Sequence, residues 1–377
     1  MKRIGIICEY NPFHNGHLRQ LTQIRAAFGE DCTIICLMSG NFVQRGAPAI
    51  IDKSIRARAA VLSGADLILE LPTEIALSSA EGFASGGVAI LSRCCDTLCF
   101  GTESMQPEDL YETARGLLSP DFPPLLKQAL SEGISFPAAR QKALSQLGIS
   151  RDLSRPNDIL GTEYVKAILN QGSHLKPFPI LREGDYHACT VNEAAPSATA
   201  LRRQMLQGLP WEGAVPPGAA ELFEGAPLHT LEAGERAILA RLRTMTDEEF
   251  EALPYGSEGL WRKLMKASRR CAELSQVIDA VKSRRYTRTR IDRMIMCAFL
   301  GLKNHDLGKI PPEIHALAFT DRGRAVLRDH PEFRNAGENL SETDIRYGSL
   351  YGLFCINAPD PPDSEEKRRI FYLRKES

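Results

Sequence analysis

Four short, unbroken apolar runs in the first hundred residues constrain this chain more than anything else in it. Residues 3–8, 32–38, 65–71 and 96–100 alternate with stretches of helical periodicity. Runs of this length without polar interruption mark strands buried on both faces. Between them, Leu18, Leu21, Ile24, Arg25 and Phe28 recur at helical spacing, and residues 76–91 are small and largely apolar on one face. Buried strands alternating with helices imply a doubly wound, Rossmann-like α/β fold, a parallel sheet joined by right-handed crossovers. Such sheets bind ligands beyond the carboxyl ends of their strands.

Further along, residues 107–172 read as mainly helical, with breaks at Pro120, Pro123-Pro124, Pro137 and Pro156. A strand is expected over 175–181. Pro196-Ser197-Ala198-Thr199 then opens a helix, with Ser197 as N-cap and Gly208 as its stop. The Pro-, Gly- and Ala-rich stretch 210–227 separates two expected domains. Residues 1–210 would be the α/β part, and 228–377 a mainly helical, basic part. Amphipathic helices are expected there at 231–246, 258–271, 274–283 and 287–302, whereas the last fifty residues match no single pattern.

No apolar run approaches the ~20 residues needed to span a bilayer. Of ten cysteines only Cys94, Cys95 and Cys99 cluster, and most others lie in apolar runs. The expectation is buried free thiols in a reducing cytoplasm. A zinc site would need a second Cys/His pair at ligand spacing, and none accompanies the cluster, so no metal site is expected.

The first run leads into Glu9-Tyr10-Asn11-Pro12-Phe13-His14-Asn15-Gly16-His17, and a helix follows at once. A helix N-terminus at the carboxyl end of a first parallel strand aims unpaired N–H groups and a positive dipole at an anion. Gly16 allows close approach to the backbone. His14 and His17 on the first turn can donate hydrogen bonds to phosphate oxygens as charge develops during pyrophosphate displacement. They are the catalytic candidates. Far downstream, Ser197 and Thr199 at a second helix start supply hydroxyls, and Arg202 a planar fork suited to the leaving pyrophosphate.

This pairing resembles the His-x-Gly-His nucleotidyltransferase superfamily. The strings Ser39-Gly40-Asn41-Phe42-Val43-Gln44-Arg45-Gly46, Gly64-Ala65-Asp66-Leu67-Ile68-Leu69-Glu70-Leu71-Pro72 and Pro156-Asn157-Asp158-Ile159-Leu160-Gly161 follow the first motif in order. Together with residues 196–202 they resemble the bacterial tRNA(Met) cytidine acetate ligase family, from residue 1 to about 300. The resemblance implies an enzyme that activates acetate with Mg2+ and ATP as acetyl-adenylate. The acetyl group would then pass to the wobble cytidine of elongator tRNA(Met), forming N4-acetylcytidine. It further implies ATP contacts from Ile7, Cys8, the motif 9–17, Leu18, Arg19, Gln20, Gly101, Asn157 and Arg182. Cys8 stands where a small or aliphatic residue is expected, a substitution that packing tolerates.

Other charges are ambiguous in sequence. Lys53, Arg56 and Arg58 are expected as solvated helix charges, with phosphate or acetate binding as the alternative. Residues 262–293 carry eleven basic and three acidic side chains, a local excess of +8 in a chain of net charge -1. Within it Arg284, Arg285, Arg288 and Arg290, interleaved with Tyr286, are the candidate tRNA contacts. Two other classes remain open: an adenylyltransferase acting on a small phosphorylated substrate, and a non-catalytic ATP-sensing RNA-binding protein.

Overall fold

A computed structural model describes residues 1–182, 197–283, 285–335, 340–358, 361 and 363–374. Its strands are β1 (Arg3–Cys8), β2 (Thr33–Ser39), β3 (Phe42–Val43), β4 (Ala47–Pro48), β5 (Leu67–Leu71), β6 (Thr97–Thr102), β7 (Lys176–Leu181), β8 (Ile314–Thr320), β9 (Phe333–Asn335) and β10 (Phe371–Leu373). The main sheet runs β10-β8-β5-β2-β1-β6-β7, with β9 beside β8. From β1 the chain winds one way through β2 and β5, then returns to add β6 and β7 on the other side, all in parallel. The reversal of strand order between β2, β1 and β6 is a topological switch point, where ligands bind in such sheets.

The apolar runs are continuous because the sheet is covered twice. Ile4, Ile6, Cys36, Met38 and Ile68 join one core with Leu21 and Ile24 of the helix Asn15–Phe28. Ile7, Ile35, Leu37, Leu67 and Leu69 point the other way, into a core with Phe83, Val88 and Tyr164. Period-2 alternation of strand side chains requires that both sets be apolar. Cys36, Cys94, Cys95 and Cys99 are buried in these layers, as expected of core thiols.

A third cluster is helical. It joins residues of Glu235–Thr244, Leu260–Ser268, Leu274–Val281 and Arg288–Leu300 to Phe42 and Leu77. The four helices lie within the expected spans, but the segment 228–377 is not one helical unit. β8 pairs antiparallel with β5, and β10 lies parallel beside β8, so the chain's last part re-enters the sheet. After β2 the chain folds back in the short β3–β4 hairpin, residues 42–48. Gly46, at φ +77°, sits so close to the helix Arg288–Leu300 that a Cβ would lie 2.4 Å from the Arg293 nitrogen. Only glycine fits both that conformation and that close approach.

Candidate active site

The loop after β1 is built from the inside. The side chains of Ile7, Tyr10 and Phe13 are buried, so their part is to shape the loop, and a ligand there meets backbone or polar groups. Tyr10 takes the left-handed φ of 44°, with its hydroxyl 3.4 Å from Cys36 Sγ. The buried amide of Asn11 accepts from Ile50 N at 2.8 Å, and Glu9 Oε1 accepts from Gln44 N at 2.8 Å. Gln20 reaches back to Cys99 of β6 and Asn15 to the carbonyl of Gly213.

His14 and His17 cap the helix Asn15–Phe28 for each other. Gly16 N–H donates to His14 Nδ1 at 3.1 Å, and His14 N–H donates to His17 Nδ1 at 3.2 Å. A backbone amide can only donate, so both Nδ1 atoms are bare and each neutral ring carries its proton on Nε2. The rings stack at 3.7 Å, with Tyr10 and Phe13 against His17. Burial first, then the nearby guanidinia of Arg182 and Arg202, push the His14 pKa down to about 3. Burial, His14 and Arg182 hold His17 well below the usual imidazole range. Two neutral Nε2–H donors therefore stand at a helix N-terminus, preset before any anion arrives.

Two arginines bracket them. Arg202, on the helix Ala198–Gln207, donates from Nη1 to the Asn11 carbonyl at 2.7 Å and from Nη2 to Thr199 Oγ1 at 3.2 Å. Ser197 caps that helix, its hydroxyl accepting from Ala200 N at 3.1 Å. Arg182 lies across Gly101 of β6, where a Cβ would come within 2.9 Å of its Cδ. Asn157 does not cap its helix: Arg155 holds that place, and the Asn157 amide donates to Glu103 Oε1 at 2.5 Å. Glu103 and the buried Asp158 each donate a main-chain N–H to the other's carboxylate across the same joint. Sequence reading overlooked this pair, whose signal was two carboxylates flanking the expected strand end and helix start.

Lys53, Arg56 and Arg58 part company. Arg58 is exposed against the Phe371 ring. Lys53 and Arg56 are not the solvated charges expected. Arg56 is 0% exposed, and its guanidinium donates to the carbonyls of Ile51 at 2.8 Å, Glu9 at 2.6 Å, Ser39 at 3.1 Å and Gly40. It thereby pins the loop after β1 to the end of β2. Nor is Lys53 open to a ligand: its ammonium meets Glu70 at 2.8 Å and Glu365 at 2.5 Å. Arg368 closes the cluster on Asp52 at 2.6 Å and Glu365 at 2.9 Å.

The candidate tRNA contacts among the described residues of the basic stretch are engaged within the molecule. Arg285 pairs with Glu258 at 2.6 Å, Arg288 with Asp292 at 2.8 Å, and Arg290 donates to the Tyr255 carbonyl and Ser257. Arg284 lies outside the described residues. Tyr286 is 4% exposed, held between Lys263 and Arg290, so it is a core ring and no platform for a stacked base.

A mainly parallel sheet with two stacked, neutral imidazoles at the helix N-terminus after its first strand has the form of a nucleotidyltransferase. A family model described as HIGH Nucleotidyl Transferase matches residues 1–336. Curated relatives named tRNA(Met) cytidine acetate ligase include those of Alkaliphilus metalliredigens, 34% identical over all of both chains, and Halothermothrix orenii, 36% identical over 96% of each. Among solved structures, apo Thermotoga maritima TmcAL superposes with TM-score 0.90 at 30% identity, over 99% of this chain and 100% of that one. The same protein bound with alpha-thio ATP superposes with TM-score 0.87 over the same shares. The chain belongs to the tRNA(Met) cytidine acetate ligase family of HIGH nucleotidyltransferases.

Proposed function

We propose that this protein joins acetate to the wobble cytidine of elongator tRNA(Met) at the expense of ATP, through acetyl-adenylate. The observation that carries the reading is the pair of Nε2–H donors on His14 and His17, flanked by Arg182 and Arg202. An acetate oxygen attacks the α-phosphorus and the bond to pyrophosphate breaks. Negative charge grows on the phosphate oxygens, where four preset donors stabilise it without reorganising. The cytidine N4 amine then attacks the acetyl carbonyl, loses a proton and expels AMP. The relatives' names support acetate and tRNA(Met) as substrates, and the alpha-thio ATP held by the Thermotoga neighbour supports ATP.

On this reading the loop 7–20 cradles the nucleotide with Gly101, Asn157, Arg182, Ser197, Thr199 and Arg202. The Asn157 amide nitrogen is already engaged with Glu103, so its carbonyl oxygen is what it offers, an acceptor suited to an exocyclic amine. Among the described residues no three His, Cys, Asp or Glu side chains gather as a metal site. Magnesium would therefore be carried on the triphosphate, where it supplies neutralising charge. Buried free cysteines fit work in the reducing cytoplasm. No described helix is long and apolar enough to cross a membrane.

Pyrophosphate release is the test. Acetate with Mg-ATP should release it without tRNA, and tRNA should add AMP release with acetylation. No acetate-dependent release would remove the proposal, and acetylation from acetyl-CoA without ATP would replace it.

A further inference from the structure

The helix Leu260–Ser268 buries Leu260, Leu264, Met265, Ala267 and Ser268, and turns Arg262, Lys263 and Lys266 to solvent, with Arg270 exposed just past its end. Among the described residues, none of these four cations finds an ion pair or a side-chain hydrogen bond; Arg262 rests on Trp261 and Lys263 on Tyr286. Their arrangement works against the helix itself. Arg262 and Lys263 occupy the first turn, where the helix dipole disfavours positive charge. Arg262 with Lys266 is a like-charge pair at i, i+4, and Lys263 with Lys266 one at i, i+3, each mildly destabilising. Three arginines of the same stretch are treated differently: Arg285, Arg288 and Arg269 each have a carboxylate partner. Four uncompensated cations at about 6 Å per i, i+4 step along a helix suit a regularly charged polyanion.

The face is also rigidly tied to the sheet. Lys263 packs on Tyr286, Tyr286 on Arg290, and Arg290 holds the carbonyl of Tyr255, whose hydroxyl donates to Leu77 O at 2.7 Å. Leu77 lies six residues beyond β5, at the sheet's carboxyl edge. An RNA strand docked on the helix would thus be held in a fixed relation to the His14 loop.

We propose that Arg262, Lys263, Lys266 and Arg270 form the phosphate-tracking surface for the RNA substrate, in preference to the internally paired arginines of 285–290. This rests on the reading of the protein as a tRNA-modifying ligase. The probe is an unmodified elongator tRNA(Met) transcript, titrated against the full chain across a series of salt concentrations. In R262E/K263E/K266E/R270E the dissociation constant should rise at least about tenfold. The slope of log K against log salt should flatten by about one unit for each phosphate no longer neutralised. R285Q/E258Q, which removes an ion pair without changing net charge, should bind within about twofold of wild type. Acetate-dependent pyrophosphate release should persist in both, since the helix lies outside the nucleotide loops. If the reversed variant fails to fold, R262Q/K263Q/K266Q/R270Q carries the same test with smaller changes. Unchanged affinity and salt slope would overturn the proposal, as would a loss confined to anionic phosphatidylglycerol vesicles with tRNA binding intact. A wild type that binds tRNA through this face yet releases no pyrophosphate with acetate would sink the ligase reading instead.

Discussion

Arg202 donates from Nη1 to the main-chain carbonyl of Asn11 at 2.7 Å, joining segments 191 residues apart. The bond ties the helix Ala198–Gln207 to the loop that leads from β1 into the helix Asn15–Phe28. It also brings a permanent cation near His14, where it adds to the burial that keeps the imidazole neutral. The later helix thus tunes the imidazole of the first loop.

Replacing Arg202 with Lys should keep the charge and lose the fork. A single ammonium cannot serve Asn11, Thr199 and a pyrophosphate together. Turnover in pyrophosphate release should fall by about 10²-fold, as for loss of one preorganised donor, while the melting temperature stays near wild type. A variant with full turnover would show that Arg202 is only a brace.

His14 has two roles that a pair of substitutions separates. Asn at an N-cap accepts from N2 or N3 as well as any residue, so His14→Asn should preserve the helix start; Ala should cost about 1 kcal/mol. Neither supplies the Nε2–H donor. Turnover should drop about 10²–10³-fold in both, with ATP affinity changing far less. Urea unfolding and steady-state kinetics on the two variants check this. Near-normal kcat in His14→Asn would leave His14 a cap and nothing more.

What was legible in the sequence follows the range of the forces involved. β1, β2, β5 and β6 announce themselves because burial on both faces leaves an unbroken local run, and the His14–His17 motif because its neighbours in sequence are its neighbours in space. β8 carries a similar run, Ile314–Thr320, but its meaning depends on β5, more than 240 residues earlier. Arg56 looked like an ordinary surface charge for the same reason. Its burial depends on carbonyls from Glu9, Ser39, Gly40 and Ile51 converging, which no local pattern records. The pairing of Arg285 with Glu258 and Arg288 with Asp292 was equally hidden in a bare count of charge.

The depressed imidazoles make stability depend on pH in a defined direction. The unfolded chain protonates His14 near pH 6.5, whereas the folded chain resists until about pH 3. Below pH 6.5 the unfolded state therefore binds the extra proton, and stability falls as pH falls, at up to about 1.4 kcal/mol per pH unit for this group. Above pH 6.5 its contribution is complete. Urea midpoints measured between pH 7.5 and 5 should decline for the wild type and decline less steeply for His14→Asn. Equal slopes in the two proteins would mean that His14 titrates normally.

Glu365 is the keystone of the buried charges beneath the loop 40–46. It is 1% exposed, meets Lys53 at 2.5 Å and Arg368 at 2.9 Å, and through them is joined to Glu70 and Asp52. Its pKa is held below the usual carboxylate value by Lys53 and Arg368, against the opposing effect of burial. The cluster holds two cations and three carboxylates, so without the Glu365 charge Lys53 keeps Glu70 and Arg368 keeps Asp52. What is lost is a pair of charge-assisted hydrogen bonds, a cost of about 1.5–3 kcal/mol. Glu365→Gln should therefore destabilise the fold by about that much, although it keeps shape. Lys53 and Arg368 would each lose an anion, and Lys53 lies at the start of the helix that presents Arg56 to the nucleotide loop. The loss should show in ATP binding too, as a weaker affinity that returns in part when saturating nucleotide stabilises the loop. For the wild type, this carboxylate's contribution is present above the unfolded Glu pKa and is lost as pH falls below about 4. Chemical denaturation of Glu365→Gln at pH 7, with and without ATP, is the measurement. A change under about 1 kcal/mol would mean that water already screens the cluster.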